Sequence, residues 1–290
     1  MPIGAHMSIA GGLDKALTRG LQLGCETIQI FTRNRNQWRA KPLAEGEVGR
    51  FREAQGATAI RPILAHASYL INLASPDREI YEKSLVALQD ELERAALLGI
   101  PYLVTHPGSH KGNGESRGLA RITTALDLIL TGAEASWPLI LLETTAGQGS
   151  SLGYRFEHLA KIRDGSQFPE RLGFCFDTAH VFAAGYDIRG LVSYGKTLKR
   201  FIDLTGAESL KAFHLNDSQK EVGSRVDRHH HVGRGTLGRR PFYLLLHDGR
   251  FSTLPMVLET PKGTEEGRDL DEVNLDTLRQ LRDMAIFPGG

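Results

Sequence analysis

The feature that most constrains this chain of 290 residues is a repeated alternation of short apolar runs with longer segments of helical periodicity. The apolar runs predict eight strands, which are Ile3–Ala5, Thr27–Phe31, Arg61–Ala65, Tyr102–Thr105, Pro138–Leu142, Leu172–Phe176, Leu210–Phe213 and Pro255–Leu258. Successive strand ends lie about 36 residues apart, which is the length that a strand–helix unit requires. This alternation favours parallel strands joined by helices.

The clearest predicted helix lies between the third and fourth strands. Ser75 is its expected N-cap and Pro76 its first residue, and Gly99 is expected to end it. The same periodicity predicts further helices, which are one from Gly11-Gly12 to about Leu23, one around Glu45–Glu53, Leu119–Leu130, Tyr154–Ile162, a segment within Ile188–Leu204, Pro241–Leu246 and Leu270–Met284.

Eight strand–helix units, with no linker or low-complexity segment between them, predict an α/β protein with a single (β/α)8 barrel domain of the TIM type over residues 1–290. The carboxyl ends of all strands in such a barrel point to one rim, where barrel enzymes carry their active sites. The alternative is an open doubly wound sheet. No GxGxxG motif follows the first strand to support that alternative.

Composition is that of an ordinary soluble globular protein, with 41% hydrophobic and 24% charged residues. No run of about 18 apolar residues predicts a membrane span, and the N-terminal residues lack the segments of a secretory signal. The cysteines, Cys25 and Cys175, lie in apolar surroundings outside any CxxC motif, which is typical of buried thiols in a reducing compartment. We therefore expect a cytoplasmic protein without a membrane partner, and we expect a monomer.

The net charge of +1 gives no general attraction to polyanions. The arginines are nevertheless clustered, because Arg33, Arg35 and Arg39 lie close together and a second group lies between residues 225 and 240. If nearby carboxylates bind metal ions, the remaining surface is more basic than the total suggests. The alternative is that these arginines are solvated.

Six consecutive predicted strands end at a side chain that can bind a metal ion. In chain order these residues are His66, His106, Glu143, Asp177, His214 and Glu259. One such residue after a strand is usually a turn or capping residue, but six in succession would crowd carboxylates onto one rim of a barrel. Cations would relieve the repulsion and the cost of desolvation.

Further candidate ligands lie near these strand ends. His180 follows Asp177 by three residues, and Asp227 and His229 stand two apart in a polar loop. Spacing alone leaves His230 and His231 as alternatives to His229. Nine ligands are too many for one tetrahedral ion, so we expect two or three ions that share a carboxylate. Such a cluster is well suited to phosphodiester hydrolysis. His6, at the end of the first strand, is expected to support the ligands.

Seven short motifs occur in order between Ile3 and Glu259. They are Gly4-Ala5-His6-Met7-Ser8, His66-Ala67-Ser68-Tyr69-Leu70-Ile71-Asn72-Leu73, His106-Pro107-Gly108-Ser109-His110, Glu143-Thr144-Thr145-Ala146-Gly147-Gln148-Gly149, Phe176-Asp177-Thr178-Ala179-His180, His214-Leu215-Asn216-Asp217 and Ser224-Arg225-Val226-Asp227-Arg228-His229-His230. Together they resemble the endonuclease IV family, the metal-dependent apurinic/apyrimidinic endonucleases of base-excision repair.

The resemblance implies a (β/α)8 barrel with three zinc ions, one of them replaceable by manganese. The implied ligands are His66, His106 and Glu143 for one ion, Glu143, Asp177, His214 and Glu259 for a second, and His180, Asp227 and His229 for the third. Glu143 would bridge two ions and be essential for catalysis. The implied reaction is hydrolysis of the phosphodiester 5′ to an abasic site in double-stranded DNA, which leaves a 3′-hydroxyl and a 5′-deoxyribose phosphate. Trimming of blocked 3′ ends is also implied.

The resemblance also implies DNA contacts. Tyr69 and Leu70 correspond to the segment that enters the minor groove as the damaged nucleotide is flipped out. The family usually places an arginine two residues before the tryptophan of the loop after the second strand, where this chain has Asn36 before Trp38. We expect Arg35 to make that contact instead. The alternative is that Arg35 points to solvent and the contact is missing.

Two other functions stay open on the sequence. A metal-dependent sugar isomerase or epimerase on the same kind of barrel would need one or two ions, so the additional group of His180, Asp227 and His229 argues against it. A non-catalytic protein that binds DNA or metal would have no use for open ligand positions.

Overall fold

Each of the eight predicted apolar runs forms a parallel strand, and the strands close into a barrel. The computed structural model describes residues 1–287, so the last three residues of the predicted domain lie outside the described residues. The barrel strands are β1 (Ile3–His6), β2 (Thr27–Ile30), β3 (Ile63–His66), β4 (Tyr102–Thr105), β5 (Leu139–Glu143), β6 (Leu172–Asp177), β7 (Leu210–His214) and β8 (Met256–Leu258). Their order around the barrel is β1-β8-β7-β6-β5-β4-β3-β2. The predicted barrel is confirmed and the open-sheet alternative is wrong.

Helices surround the barrel and contribute apolar side chains to the core that they share with the strands. They are α1 (Leu13–Gln22), α2 (Glu45–Gly56), α3 (Arg78–Leu98), α4 (Glu115–Leu130), α5 (Phe156–Gly165), α6 (Thr178–Ala183), α7 (Leu191–Thr205), α8 (Arg240–Leu246) and α9 (Leu270–Asp283). The short helix α6 was not predicted. It follows β6 directly, because the Asp177 carboxylate caps it by accepting a hydrogen bond from the His180 amide at 2.7 Å. Within residues 1–287 no helix is long and apolar enough to cross a membrane.

The predicted start of α3 was two residues early. The N-cap is Asp77, whose carboxylate accepts from the Ile80 amide at 2.9 Å, and the helix begins at Arg78. Ser75 instead caps the preceding turn, since its hydroxyl accepts from the Asp77 amide at 3.2 Å. Gly99 ends the helix as predicted, with the left-handed φ of 69° that glycine adopts without strain.

A cluster of apolar side chains, against which Tyr102 and Leu139 also pack, fills the barrel interior beneath the rim. These fully buried residues are Leu64, Val104, Leu141, Cys175, Ala212 and Val257. Burying each of the larger ones contributes about 1.5–3 kcal/mol to folding. Cys175 therefore fills space in the core, and Cys25 is also a buried free thiol, as expected. The filled interior leaves the carboxyl-terminal rim as the open face of the barrel.

A short antiparallel ladder on the rim positions the loop that carries the last candidate ligands. Asp217–Ser218 pairs with His229–His230, in the register Asp217↔His230 and Ser218↔His229. This pairing folds the loop after β7 back over the end of its own strand. His229, which is 15 residues further along the chain than His214, thereby returns to the same rim.

Candidate metal centre

Glu143, the last residue of β5, lies fully buried among four imidazole rings. Its Oε2 atom is 3.3 Å from His66 Nε2 and 3.1 Å from His106 Nε2. Its Oε1 atom is 2.9 Å from His214 Nδ1 and 3.2 Å from His180 Nδ1. The two oxygens of one carboxylate thus face two different pairs of histidines.

The candidate ligands form three groups of donor atoms, each within 4.8 Å of one another. The groups are His66, His106 and Glu143, then Glu143, Asp177, His214 and Glu259, and finally Asp177, His180 and His229. Asp227 joins the third group, because its carboxylate is 3.2 Å from His180 Nε2 and 3.4 Å from His229 Nε2. The structure therefore brings together all nine residues that the sequence analysis singled out, with Glu143 and Asp177 each shared by two groups.

The donor separations fit tetrahedral zinc coordination. Donors bound at about 2.0–2.1 Å to a tetrahedral ion lie roughly 3.4 Å apart. The distance from His214 Nδ1 to Glu259 Oε2 is 3.2 Å, and that from His180 Nε2 to His229 Nε2 is 3.3 Å. Imidazole and carboxylate donors, without thiolate, are also a set that zinc accepts. The residues present therefore fit the group that the sequence implies.

Further hydrogen bonds orient four of the histidine rings. In each ring one nitrogen meets an oxygen acceptor of the surrounding protein, and the pairs are His66 Nδ1 with Ala67 O at 2.7 Å, His180 Nδ1 with Thr144 O at 2.8 Å, His214 Nε2 with Gln29 Oε1 at 2.8 Å and His229 Nδ1 with Glu259 O at 3.2 Å. A carbonyl oxygen cannot donate, so the ring nitrogen must carry the proton. In the neutral ring, which is the form that binds metal, the other nitrogen then carries a lone pair directed into the cluster.

An open pocket of about 510 Å³ leads from solvent to the cluster. His106 and Asp227 line it on the cluster side, and Tyr69 and Leu70 line it on the loop after β3. The Tyr69 side chain is 51% exposed, and its ring centre is 5.3 Å from that of His66. The exposed Arg35 guanidinium lies 5.6 Å from the Tyr69 ring. The three residues for which we expect DNA contacts therefore lie beside the entrance.

Comparisons with known proteins agree with this arrangement. The profile of the family described as xylose isomerase-like TIM barrel matches residues 17–283. A probable endonuclease 4 of Chloroflexus aggregans is 52% identical over 278 residues, which cover 96% of each chain. A probable endonuclease 4 of Geobacter sulfurreducens is also 52% identical, over 96% of this chain and 94% of the relative. The chain belongs to the endonuclease IV family.

Solved structures separate this family from others that share the barrel. Endonuclease IV from Thermus thermophilus superposes with a TM-score of 0.85 at 38% identity, over 97% of this chain and 98% of that one. A D-tagatose 3-epimerase-like protein superposes with a TM-score of 0.74 at 18% identity, over 97% of each chain. At that identity the second likeness is one of fold alone. The expected endonuclease IV family is confirmed, and the isomerase alternative has less support.

Two buried amides that the sequence analysis did not assign hold the endonuclease IV cluster from below. Asn216 donates to Asp177 Oδ2 at 2.6 Å and accepts from the Glu259 amide at 2.8 Å. Gln29 donates to Glu259 Oε1 at 2.6 Å and meets His214 on its other side. Asn216 belongs to the motif His214-Leu215-Asn216-Asp217, but the sequence analysis gave it no role. The signal for Gln29 was a polar residue inside an otherwise apolar run, which requires a buried partner.

The remaining histidines near the endonuclease IV cluster make other contacts. His6 Nδ1 lies 3.0 Å from the Gln29 amide nitrogen, which is the supporting position expected for it. His231 Nδ1 lies 3.0 Å from the Asn274 amide nitrogen, and His230 Nδ1 accepts from the His231 backbone amide at 2.7 Å. His229, with its ring 5.1 Å from that of His180, is thus the one of the three neighbours that faces the cluster.

Electrostatics couple the carboxylates to the imidazoles. Burial raises the pKa of Glu143, but His214 and His106 outweigh this effect and hold the pKa well below its ordinary value. Burial lowers the pKa of His180, but the Asp177 and Asp227 carboxylates outweigh it and raise that pKa well above the ordinary value. Without metal these effects favour an ionised Glu143 and a protonated His180, and a cation can replace the proton of the ring.

Proposed function

We propose that this chain hydrolyses the phosphodiester 5′ to abasic sites in double-stranded DNA and leaves a 3′-hydroxyl and a 5′-deoxyribose phosphate. The observation that carries the proposal is the set of nine His, Asp and Glu side chains grouped around Glu143 at the open rim of the barrel. Membership of the endonuclease IV family supports DNA as the substrate and hydrolysis as the reaction. Trimming of blocked 3′ ends and action as a cytoplasmic monomer belong to the same proposal.

Three zinc ions are assigned to these side chains. The first would be held by His66, His106 and Glu143, the second by Glu143, Asp177, His214 and Glu259, and the third by His180, Asp227 and His229. One of them is expected to be replaceable by manganese. Ions bound here would supply Lewis-acid stabilisation of phosphoryl oxygens and would lower the pKa of water.

The protein contributes fixed positions to this chemistry. Glu143 is buried and belongs to two groups, so it holds those groups in one relative geometry. His106 and Asp227 line the pocket and leave the cluster accessible from that side, where a phosphate can enter. Hydrogen bonds that fix the rings in advance reduce the reorganisation required when the substrate binds.

The loops after β2 and β3 are assigned the contacts with DNA. Tyr69 and Leu70 would fill the space in the duplex as the abasic nucleotide leaves the stack, because inserted side chains offset the cost of unstacking. The 510 Å³ pocket beside them would receive the flipped nucleotide. Arg35, beside the Tyr69 ring, would contact the DNA backbone or the gap in place of the arginine that Asn36 replaces.

The test is cleavage of an end-labelled duplex that contains one tetrahydrofuran, an abasic analogue that cannot undergo elimination. We expect zinc-loaded protein to cut this duplex on the 5′ side of the lesion and to leave a 3′ end that a polymerase extends. An undamaged duplex of the same sequence is the control. Removal of metal should abolish cutting, and added zinc should restore it. Metal-loaded, folded protein that leaves the lesion uncut would refute the proposal.

A further inference from the structure

Gln29 lies in the middle of β2, fully buried, and both ends of its side-chain amide are hydrogen-bonded. Its Oε1 is 2.8 Å from His214 Nε2, and its Nε2 is 2.6 Å from Glu259 Oε1 and 3.0 Å from His6 Nδ1. The amide therefore contacts two residues of one metal group and none of the other two groups. An apolar residue here would remove the hydrogen-bond partner that Gln29 gives to His214 Nε2 and to Glu259 Oε1, both of them in the buried cluster.

The direction of the amide follows from its partners. An ionised carboxylate can only accept, so the amide nitrogen must face Glu259 and the amide oxygen must face His214. Because that oxygen accepts from His214 Nε2, the proton of the neutral ring lies on Nε2. The His214 Nδ1 lone pair is then directed at the cluster, 2.9 Å from Glu143 Oε1 and 3.2 Å from Glu259 Oε2.

The same amide constrains the glutamate. Glu259 Oε1 is occupied by the hydrogen bond from Gln29, and it is Oε2 that lies near His214 Nδ1. The Gln29 amide thus determines which atom of His214 and which atom of Glu259 faces the metal group to which both residues belong. Partners of this kind set the orientation and basicity of metal ligands.

We propose that Gln29 is a positioning residue, which selects Nδ1 of His214 and Oε2 of Glu259 as the donor atoms for the ion assigned to Glu143, Asp177, His214 and Glu259. The inference rests on the proposed function and adds a residue outside the nine assigned ligands. Its consequence is selective. Loss of the amide weakens one ion of the three, because neither of the other groups is bonded to it.

The main variant is Gln29→Met, which keeps the length of the side chain and removes its hydrogen bonds to His214, Glu259 and His6. The wild type should retain three zinc ions per chain after dialysis against a weak chelator, and the variant should retain two. The affinity for the ion assigned to Glu143, Asp177, His214 and Glu259 should fall about 10–100-fold. Gln29→Glu is the second variant, because it keeps an acceptor for His214 and loses the donor to Glu259. It should release the same ion.

The matched control is Thr27→Val, a polar-to-apolar change two residues earlier on β2. Thr27 is fully buried and donates to the Pro62 carbonyl, away from the cluster. Both variants remove a buried hydrogen bond from the same strand, so both lower the unfolding temperature of metal-free protein. The control should still retain all three ions. A control that loses metal as the Gln29 variants do would overturn the selective role of the amide.

Double variants identify the ion. Glu259→Gln should release the ion assigned to its own group, and adding Gln29→Met should remove no further metal, since both changes act on one site. Asp227→Asn should release a different ion, and adding Gln29→Met should reduce the content by one more. The assignment would be contradicted if Gln29→Met removed a further ion from the Glu259→Gln variant but none from the Asp227→Asn variant.

The outcomes also separate this inference from the proposed function. Wild-type protein that binds no zinc and does not cut an abasic duplex refutes the proposed function itself. Wild-type protein that binds three ions and cuts, together with Gln29 variants that retain all three at wild-type affinity, overturns the positioning role alone. Gln29 variants that lose all three ions in parallel overturn it as well, because a general weakening of the fold would act on every group.

Discussion

At the scale of single residues, the shared carboxylate of Glu143 is the contact on which the proposed centre depends most. Its oxygens lie 2.9 and 3.1 Å from nitrogens of His214 and His106, which belong to two different groups. An amide at this position would offer one acceptor oxygen and one NH2 group. The NH2 group cannot coordinate a cation, so one of the two groups would lose its shared donor.

Glu143→Gln is therefore expected to reduce cleavage of abasic duplex by about 100–1000-fold, the range found when one group that stabilises a transition state is removed. The fold should survive, because the amide has nearly the shape of the carboxyl group. Turnover and metal content are measured on the same preparation. A variant that keeps its metals and more than about a tenth of wild-type turnover would show that the bridging assignment is wrong.

Arg35 provides the second prediction at this scale. Its guanidinium lies 5.5 Å from the Phe31 ring and 5.6 Å from the Tyr69 ring, close to the pocket entrance. Arg35→Ala should weaken binding to abasic duplex and reduce the slope of log affinity against log salt by about one unit, if a phosphate is contacted. Asn36→Ala, on the neighbouring exposed residue, is the control and should leave the slope unchanged. If Arg35→Ala and the wild type have equal affinity at every salt concentration, Arg35 is a solvated residue that makes no contact with DNA.

Residue identity singled out the clustered His, Asp and Glu side chains, but it did not single out the residues that support them. Glu143, Asp177 and His214 end strands and have side chains that bind metals, so position and chemistry both pointed to them. Gln29 has no such chemistry, and its hydrogen bonds exist only because barrel closure brings β2 close to the ends of β7 and β8, which carry His214 and Glu259. The contact between residues 29 and 259 joins positions 230 residues apart, so no local sequence pattern could indicate it.

At the scale of elements, the strands were predicted well because their apolar runs alternate with helices at a regular interval. Boundaries were less certain where two capping residues compete. Ser75 and Asp77 can each cap a helix, and Pro76 is compatible with either the first turn or the residue before it. The structure assigns the cap to Asp77, which contacts the Ile80 amide at 2.9 Å.

Replacing that cap tests the corrected start of α3. Asp77→Ala should lower the free energy of unfolding by about 1 kcal/mol, since it leaves an amide of the first turn without its acceptor. Asp77→Asn keeps an acceptor and should cost a smaller amount. Denaturant unfolding of the metal-free proteins measures both changes. If Ser75→Ala destabilises the protein more than Asp77→Ala, the helix starts where the sequence alone placed it.

At the scale of the whole molecule, barrel closure brings together donors that are distant in the chain. His66 and Glu259 lie 193 positions apart in the numbering, yet both stand on the rim that surrounds Glu143.

The ionised pairs affect stability in the metal-free protein. The lowered Glu143 pKa contributes stability that is present above pH 4.5 and is lost as pH falls through the folded pKa. The raised His180 pKa contributes stability that is present below pH 6.5 and is lost as pH rises through the folded pKa.

The same pKa shifts predict that zinc uptake releases protons. The raised pKa of His180 favours a protonated ring in the metal-free protein, and a metal ion must displace that proton. Metal affinity should therefore fall as pH falls from 7 towards 5. Calorimetric titration of metal-free protein with zinc, in buffers of different ionisation enthalpy, counts the protons released. A binding heat that does not depend on the buffer would show that the imidazoles are already neutral.

The central claim is that nine rim side chains hold three metal ions, and anomalous X-ray scattering from crystals of zinc-loaded protein tests it most directly. Data collected on either side of the zinc absorption edge should show three peaks, one within each of the three groups. Glu143 should contact two of the peaks, and Asp227 should contact the peak beside His180 and His229. A single peak, or peaks away from Glu143, in crystals of protein that still cuts abasic duplex would contradict the three-ion centre.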